Sequence, residues 1–339
     1  MNNLLLYQGS VKNLFACQEN ILFEFSDRYS LFDWGEMPDQ LEKKGEALAM
    51  MGALFFTEVS KYKIPHHFLS LSDKTGQSLD WVPTSYLKVK KIPVTKPTKL
   101  ETGYDYSFYR TSPQKGLVPL EVIFRFGAGS GSSLTKRVEQ NPALMNQWNL
   151  NKLEEGKIWD LPLIDFSTKL EKGDRYLTHV EAQELAGLTS NEFFKLIEST
   201  TRVALILRNI FNEMGLELWD GKLEWAFLPG SDRSFMLVDS IGLDELRLQK
   251  NGKSLSKEFL REYYRSTPWF QHLMSAKKTS EKTGQDFKQL CNEAPPHLSA
   301  AHKALATSLY LSFTNDLAMR VIGKTIFDPK YTLKNWEGL

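Results

Sequence analysis

Cysteine is scarce, neither charge is in excess, and no long apolar run occurs; each shortage removes a class of protein. Cys17 and Cys291 are the only cysteines in 339 residues, which excludes a disulfide framework and a cysteine-rich zinc site and fits a reducing compartment. The 42 Lys and Arg nearly cancel the 41 Asp and Glu, leaving a net charge of +1. A general binder of nucleic acid or of an anionic membrane carries a basic excess, so neither partner is expected. No window approaches the roughly 20 apolar residues of a membrane helix. The opening MNNLLLYQGSVKN lacks a basic n-region and does not read as a secretory signal. No G-x-S-x-G, Walker or Rossmann fingerprint appears, and neither cysteine has a neighbouring histidine that would make it a nucleophile. With 42% hydrophobic and 24% charged residues, the chain reads as a soluble, cytoplasmic, globular protein of two domains or one large one.

The order of elements indicates an α+β fold. Leu4 and Leu6 alternate before a turn at Gln8-Gly9-Ser10, Val11, Leu14 and Phe15 continue after it, and Ile21, Phe23 and Phe25 form a further strand. Residues 41–59 switch to helical period, with Leu48, Met51, Phe55 and Val59 on one face. A strand is predicted near Tyr86–Val94, then a long loop whose Tyr104, Tyr106, Phe108 and Tyr109 either pack it onto the body or stack on a base. Leu120–Phe126 reads as a buried strand running into the small-residue loop Gly127–Ser133. Thr189 with Glu192 makes a capping box for a helix over 190–214, stopped by Gly215. Strands over 217–228 and 234–241 make a second hairpin through Pro229–Asp232, and a helix carrying Leu305, Leu309, Phe313, Leu317 and Val321 ends the chain. Strict strand–helix alternation, the mark of a doubly wound sheet, is missing.

Three places hold residues with chemical potential. Gly9-Ser10-Val11-Lys12 is either a plain hairpin turn with a solvated lysine or a loop that lays amides and one positive charge over a nucleotide's phosphates. In Trp219–Trp225 a period of two puts Asp220, Lys222 and Glu224 on one face, with Leu223 and Trp225 opposite. The partner strand ends at Asp239, so Glu224 and Asp239 are expected to converge. They form either surface ion pairs or two hard oxygen ligands suited to Mg²⁺ and polyphosphate. Arg125, in an otherwise apolar strand, needs a partner if buried: a carboxylate, or a substrate phosphate cradled with Ser130–Ser133. Arg247 closes the loop that follows Asp239, and His66-His67 reads as a surface or core pair rather than a zinc site.

Eight segments in order, LLYQGSVKNLF, ILFEFSDRYSLFDWG, KKGEALAMMGALFF, IPHHFL, VPLEVIFRFGAGSGSSL, STKLEKGDRY, GLELWDGKLEW and MLVDSIGLDELRL, carry a resemblance to the SAICAR synthetase (phosphoribosylaminoimidazole-succinocarboxamide synthase) family over nearly the whole chain. Residues 73–118 are least alike. The resemblance implies a two-lobed fold of antiparallel sheets and packed helices with ATP in the cleft between lobes: a β-rich ATP-grasping lobe over 1–119 and a substrate and metal lobe over 120–339. It also implies an ATP-dependent ligase that joins carboxyaminoimidazole ribotide and L-aspartate through an acyl phosphate, with Mg²⁺. On that reading Gly9, Ser10, Val11, Lys12, Lys169 and Glu224 meet ATP, while Leu117 and Val118 lie against adenine. Lys222, Asp239 and Asp174 are catalytic, and Glu224 and Asp239 hold the metal. Arg125, Ser133, Arg247 and Arg261 bind the ribotide.

The pattern departs from the family in three places: Ser10 where a lysine is usual, Gly127 where the strand commonly has a second arginine, and Ser240 after Asp239 where a second acid is common. Each removes a charge from an anion site. Either the acceptor differs, or charge comes from Lys136, Arg137, Lys88 or Lys90. A relative with the same ATP and Mg²⁺ site acting on another acceptor, as an amide ligase or small-molecule kinase, and a non-catalytic nucleotide binder are the competing readings. A homo-oligomer is compatible with these residues.

Overall fold

The computed structural model describes residues 3–129, 132–228, 230 and 232–336, whose strands pair antiparallel, with a parallel bridge between His66 and Leu237. Two compact units emerge, neither continuous in sequence. Unit 1 takes the chain up to Leu54, Leu69–Val89 and the chain from Lys250; unit 2 takes Phe55–Phe68 and Lys90–Gln249. The division expected at 119/120 is not where these units part. A single strand, Gly116–Gly127, runs through that point, and the helices after Lys250 return to the N-terminal unit.

Unit 1 begins with β1 (Leu5–Gln8), β2 (Lys12–Cys17) and β3 (Asn20–Phe25), paired as the alternation predicts. A small ribbon of β4 (Arg28–Ser30) and β5 (Glu36–Gln40) precedes helix α1 (Lys44–Lys61). Asp27 starts that helix by accepting the amides of Lys43 (3.2 Å) and Gly45 (2.9 Å), a side-chain cap supplied from outside it. The predicted stripe of α1 is buried, but so are Ala49, Met50 and Ala53: small side chains let neighbours approach on a second face, so the helix is enclosed rather than amphipathic. The strands β6 (Phe68–Ser72), β7 (Ser78–Leu79) and β8 (Tyr86–Lys90) complete a six-stranded sheet ordered β1-β2-β3-β8-β6-β7.

In unit 2, a ribbon of β9 (Thr98–Lys99) and β10 (Tyr104–Asp105) and the short helix α2 (Ser107–Arg110) fill the divergent stretch. Tyr106 and Tyr109 are buried there while Phe108 faces outward, so these aromatics pack the segment down. The main strand β11 (Gly116–Gly127) is followed by α3 (Ser133–Gln140), a 3₁₀ turn at Pro142–Trp148, β12 (Ile158–Thr168), β13 (Tyr176–Leu177) and α4 (His179–Leu185). Next come the long helix α5 (Ser190–Glu213), β14 (Glu217–Phe227), β15 (Phe235–Val238) and β16 (Leu246–Lys250). The capping box of α5 is formed: Thr189 Oγ1 accepts from Glu192 N and Glu192 accepts from Thr189 N at 2.8 Å. Within this unit the sheet order is β13-β12-β11-β14-β16, with β15 also on β14.

Register divides this sheet into two faces. On one, Val122, Phe124, Phe126, Ile164, Phe166 and Leu223 are buried on the side that α5 covers. On the other, Glu121 stands opposite Glu224 and Ser167, Ile123 opposite Lys222 and Asp165, and Arg125 opposite Asp220. Back in unit 1, β17 (Lys253–Ser254) leads into α6 (Lys257–Arg265), α7 (Pro268–Thr283), α8 (Phe287–Leu290) and α9 (Ala300–Ile322). The four-residue repeat of α9 buries Leu309, Phe313 and Leu317.

Candidate active site

The polar face of β11, β12 and β14 gathers charges that period two alone puts on one side. The predicted face of Asp220, Lys222 and Glu224 is present, with Gly221, Leu223 and Trp225 opposite. At one end of this face Lys169 Nζ lies 2.6 Å from Glu224 and 3.3 Å from Glu121, and Lys222 Nζ lies 2.7 Å from Glu121. Glu121 is hidden in the sequence, because it sits inside a run that reads as plain buried strand. The alternation Glu121, Ile123, Arg125 was the available signal.

The environments push these groups apart. Burial and then the Asp239 charge raise the Glu224 carboxyl and Lys169 opposes, leaving it at about 7. Burial would also raise Glu121, but Lys222 and Lys169 outweigh it and hold that carboxyl below the usual range. Burial opposes the Lys169 charge, yet Glu224, Asp239 and Glu121 keep its pKa above the ordinary lysine value. Lys222 is likewise raised by Glu121 against the effect of burial. Glu224 and Asp239 are therefore brought within electrostatic reach, as the hairpin predicts. Their chemistry suits a hard divalent cation that keeps its other positions for water and phosphate oxygens, since such a charge would favour ionised Glu224. Among the described residues, no group of three or more His, Cys, Asp or Glu side chains could hold an ion unaided.

Asp239 takes a left-handed backbone conformation (φ 64°) just after β15. His67 holds it from the side: its ring Nε2 donates to the Asp239 carbonyl at 2.8 Å and its amide to Leu237 at 3.1 Å. The histidine read as surface or core is a core residue, 2% exposed, that ties down the end of the acid-bearing strand.

At the other end of the face, Arg125 is buried and ion-paired to Asp165 (3.2 Å) and Asp220 (3.6 Å), so its partners are carboxylates. Burial opposes its charge, but Asp220 and Asp165 raise its pKa. Arg137 also pairs with Asp165, and Arg247 with Asp220, so each of these two carboxylates is shared between guanidinium groups. Arg137 stacks 3.9 Å over the Tyr176 ring, and Ser133 Oγ lies 3.3 Å from Arg125 Nη2 and 2.8 Å from the Tyr176 hydroxyl. Of the expected small-residue loop, Ser130 and Gly131 lie outside the described residues.

The other expected site residues lie on the following elements. Asp174 is exposed in the loop that leaves Lys169. Leu117 and Val118 are buried in β11, Leu117 packing with Ala226, Met236 and Val238. Gly9, Ser10, Val11 and Lys12 belong to unit 1. There Arg28 donates to the Gly9 carbonyl (3.1 Å), Ser26 binds the Val11 carbonyl through N (3.0 Å) and Oγ (2.9 Å), and Lys12 Nζ lies 4.4 Å from the Phe23 ring centre. Arg261 is also a unit 1 residue, on α6, paired with Glu258 at 3.0 Å.

Antiparallel sheets backed by helices define an α+β protein whose main sheet pairs lysines with carboxylates on one face. The family model for SAICAR synthetase matches residues 5–275, and the chain belongs to that family. An Archaeoglobus fulgidus protein, provisionally named as a phosphoribosylaminoimidazole-succinocarboxamide synthase, is 39% identical over 95% of this chain and 96% of its own length. The Thermoplasma volcanium protein named as that synthase is 30% identical over 81% of this chain and 87% of its own. Among solved structures, SAICAR synthase from Saccharomyces cerevisiae complexed with SAICAR superposes with a TM-score of 0.66 at 17% identity, covering 95% of this chain and 96% of that one. A SAICAR synthetase in complex with ADP gives 0.57 at 21% identity, covering 83% and 98%. These two likenesses concern the fold. No helix among the described residues is long and apolar enough to cross a membrane.

Proposed function

We propose that this chain is an ATP-dependent ligase of purine biosynthesis that joins carboxyaminoimidazole ribotide to L-aspartate, giving SAICAR, ADP and phosphate. The observation that carries the reading is the polar face of β11, β12 and β14, where a lysine–carboxylate cluster and an arginine-rich cluster share one surface. A carboxylate oxygen of the ribotide attacks the γ-phosphorus and ADP leaves. The aspartate amine then attacks the acyl carbon, loses a proton, and phosphate departs. Both steps are positioning and charge neutralisation, the work of fixed lysines and arginines rather than of a protein nucleophile.

In this scheme Lys222 and Lys169 face the transferred phosphoryl group, each held by a carboxylate that fixes its ammonium. Glu224 and Asp239 would hold Mg²⁺, which when bound neutralises the phosphate oxygens. On this reading Asp174 meets the substrates. Arg125, Ser133 and Arg247 take the ribotide phosphate, and Arg261 is assigned to ribotide binding. The unit 1 loop Gly9–Lys12 covers the ATP phosphates, its Gly9 and Val11 carbonyls already bonded to Arg28 and Ser26. Leu117 and Val118 line the adenine. The deciding experiment is ADP release by purified protein with ATP, Mg²⁺, ribotide and L-aspartate, omitting each in turn. ADP formation that requires both ribotide and aspartate is expected; ADP formation indifferent to aspartate would replace the ligase with a kinase-like reading.

A further inference from the structure

We propose that the divergent segment 98–110 is a clamp that positions the loop over 169–174 through Tyr104 and Tyr106. The inference rests on the reading of Lys169 and Asp174 as site residues.

The loop joins β12 to β13 and carries Lys169 at its start and Asp174 near its end. Its base is closed by Thr168 and Arg175, whose backbones bond at 3.0 Å, and Lys169 N donates to the Pro119 carbonyl at 3.1 Å. Beyond Lys169, Leu170 packs on the cluster of Leu117, Ala226, Met236 and Val238, while Lys172, Gly173 and Asp174 are exposed and glycine adds backbone freedom. Two tyrosines from the divergent segment meet the loop there. The Tyr104 hydroxyl accepts the Lys172 amide at 3.0 Å, and the Tyr106 hydroxyl donates to Glu171 at 3.2 Å. Glu171 is also held by Arg175 at 2.9 Å, so Tyr106 and Arg175 grip one carboxylate from two sides.

The gripping element is itself fixed. Tyr104 sits in the β9–β10 ribbon opposite Lys99, and Asp105 caps the following turn by accepting from Ser107 N at 2.8 Å. Tyr106 is 5% exposed and Tyr109 2%; their rings lie 6.0 Å apart, and the Tyr109 hydroxyl donates to the Thr95 carbonyl at 2.6 Å. A rigid aromatic platform therefore bears on the exposed end of the loop, while Lys169 is tied at the other end to Glu224 and Glu121. Tyr104 and Tyr106 act through the loop and are positioning residues. A displacement of the loop end by even an ångström is costly to a reaction that depends on placement.

The test is the double variant Tyr104→Phe with Tyr106→Phe, which removes two hydroxyl groups and keeps the packed rings. The expected result is faster amide hydrogen exchange over 169–175 and a fall in kcat of about tenfold, with the KM for ATP and the thermal midpoint close to the parent values. Parent-like kcat would overturn the clamp whatever the exchange shows, and so would a loss of activity that merely tracks a lowered melting temperature. Lys169→Met and Asp174→Asn are measured alongside. Full turnover in both would bring down the reading of the loop as part of the site. Loss in those two with parent-like turnover in the tyrosine variant would bring down the clamp alone.

Discussion

Glu121 and Glu224 stand directly opposite each other on β11 and β14, and one ammonium, Lys169 Nζ, reaches both, at 3.3 and 2.6 Å. Like charges across a ladder are ordinarily destabilising. Here the two lysines offset the repulsion; the Glu224 carboxyl is still raised, by burial first and by the Asp239 charge next, with Glu121 the smallest contributor.

Replacing Lys169 with Met should therefore cost stability, and by an amount that depends on pH. Removing one partner of a buried charge cluster typically costs about 3–5 kcal/mol. Glu224 can escape part of that by taking up a proton. Its folded pKa, about 7, lies above the ordinary 4.5, so the ionised form is penalised progressively as pH rises through that interval. Urea unfolding of Lys169→Met against the parent should show a larger loss at pH 8 than at pH 6. An equal loss at both would mean that Lys169 does not neutralise Glu224.

Gly221 is needed by packing rather than by backbone conformation. A Cβ there would lie 2.5 Å from Phe124 Cζ and 2.6 Å from Leu246 Cδ2, on the apolar face directly behind Lys222. Gly221→Ala should destabilise by about 1–3 kcal/mol through overpacking and lower turnover by tilting the neighbouring Lys222. The paired variant Gly221→Ala with Phe124→Leu opens room for the methyl group and should recover part of the activity. No recovery would show that the glycine serves something other than the fit against Phe124.

Much of this arrangement was legible in the residues, and what escaped did so for a common reason. The face of Asp220, Lys222 and Glu224 follows from period two within one strand, and the α5 capping box from two residues three apart. Glu121 and Asp165 are single acids inside apolar runs, LEVIFRF and LPLIDFST, where the surrounding pattern says only that the strand is buried. Their significance lies in register: Glu121 matters because Glu224 is opposite, and Asp165 because Arg125 and Arg137 converge on it. Arg137, considered only as charge near the arginine strand, reaches Asp165 because α3 carries it there. His67 acts on Asp239 from 172 residues away, and local spacing holds no trace of such a pairing.

His179 should make the protein sensitive to mild acid. Its Nε2 donates to the Ile164 carbonyl at 2.9 Å, and its ring packs on Trp148, Phe166 and Phe193. Burial holds its pKa below the usual histidine value, with the Ile164 bond and Asp165 opposing only in part. The unfolded chain therefore binds a proton first, so this contribution to stability is complete above about pH 6.5 and is lost as pH falls below it. The urea midpoint should drop between pH 7.5 and 5.5, and drop less in His179→Gln. A variant that follows the parent profile would remove His179 from the account.

Asp239→Asn offers a clean separation of charge from fold. The residue has φ 64°, a conformation that asparagine adopts as readily as aspartate, and the bond that His67 makes is to its backbone carbonyl. The substitution therefore keeps the turn after β15 and removes the negative charge that faces Glu224 and Lys169. If Asp239 and Glu224 together hold the cation that accompanies ATP, turnover should fall by about 10²-fold or more while the thermal midpoint scarcely moves. The Mg²⁺ concentration needed for half-maximal activity should rise sharply in whatever activity remains. Asp239→Ala, by contrast, should lose stability as well, because alanine tolerates that backbone conformation poorly. Near-parent turnover in Asp239→Asn at ordinary Mg²⁺ would take the metal role away from this aspartate and leave Glu224 without its proposed partner.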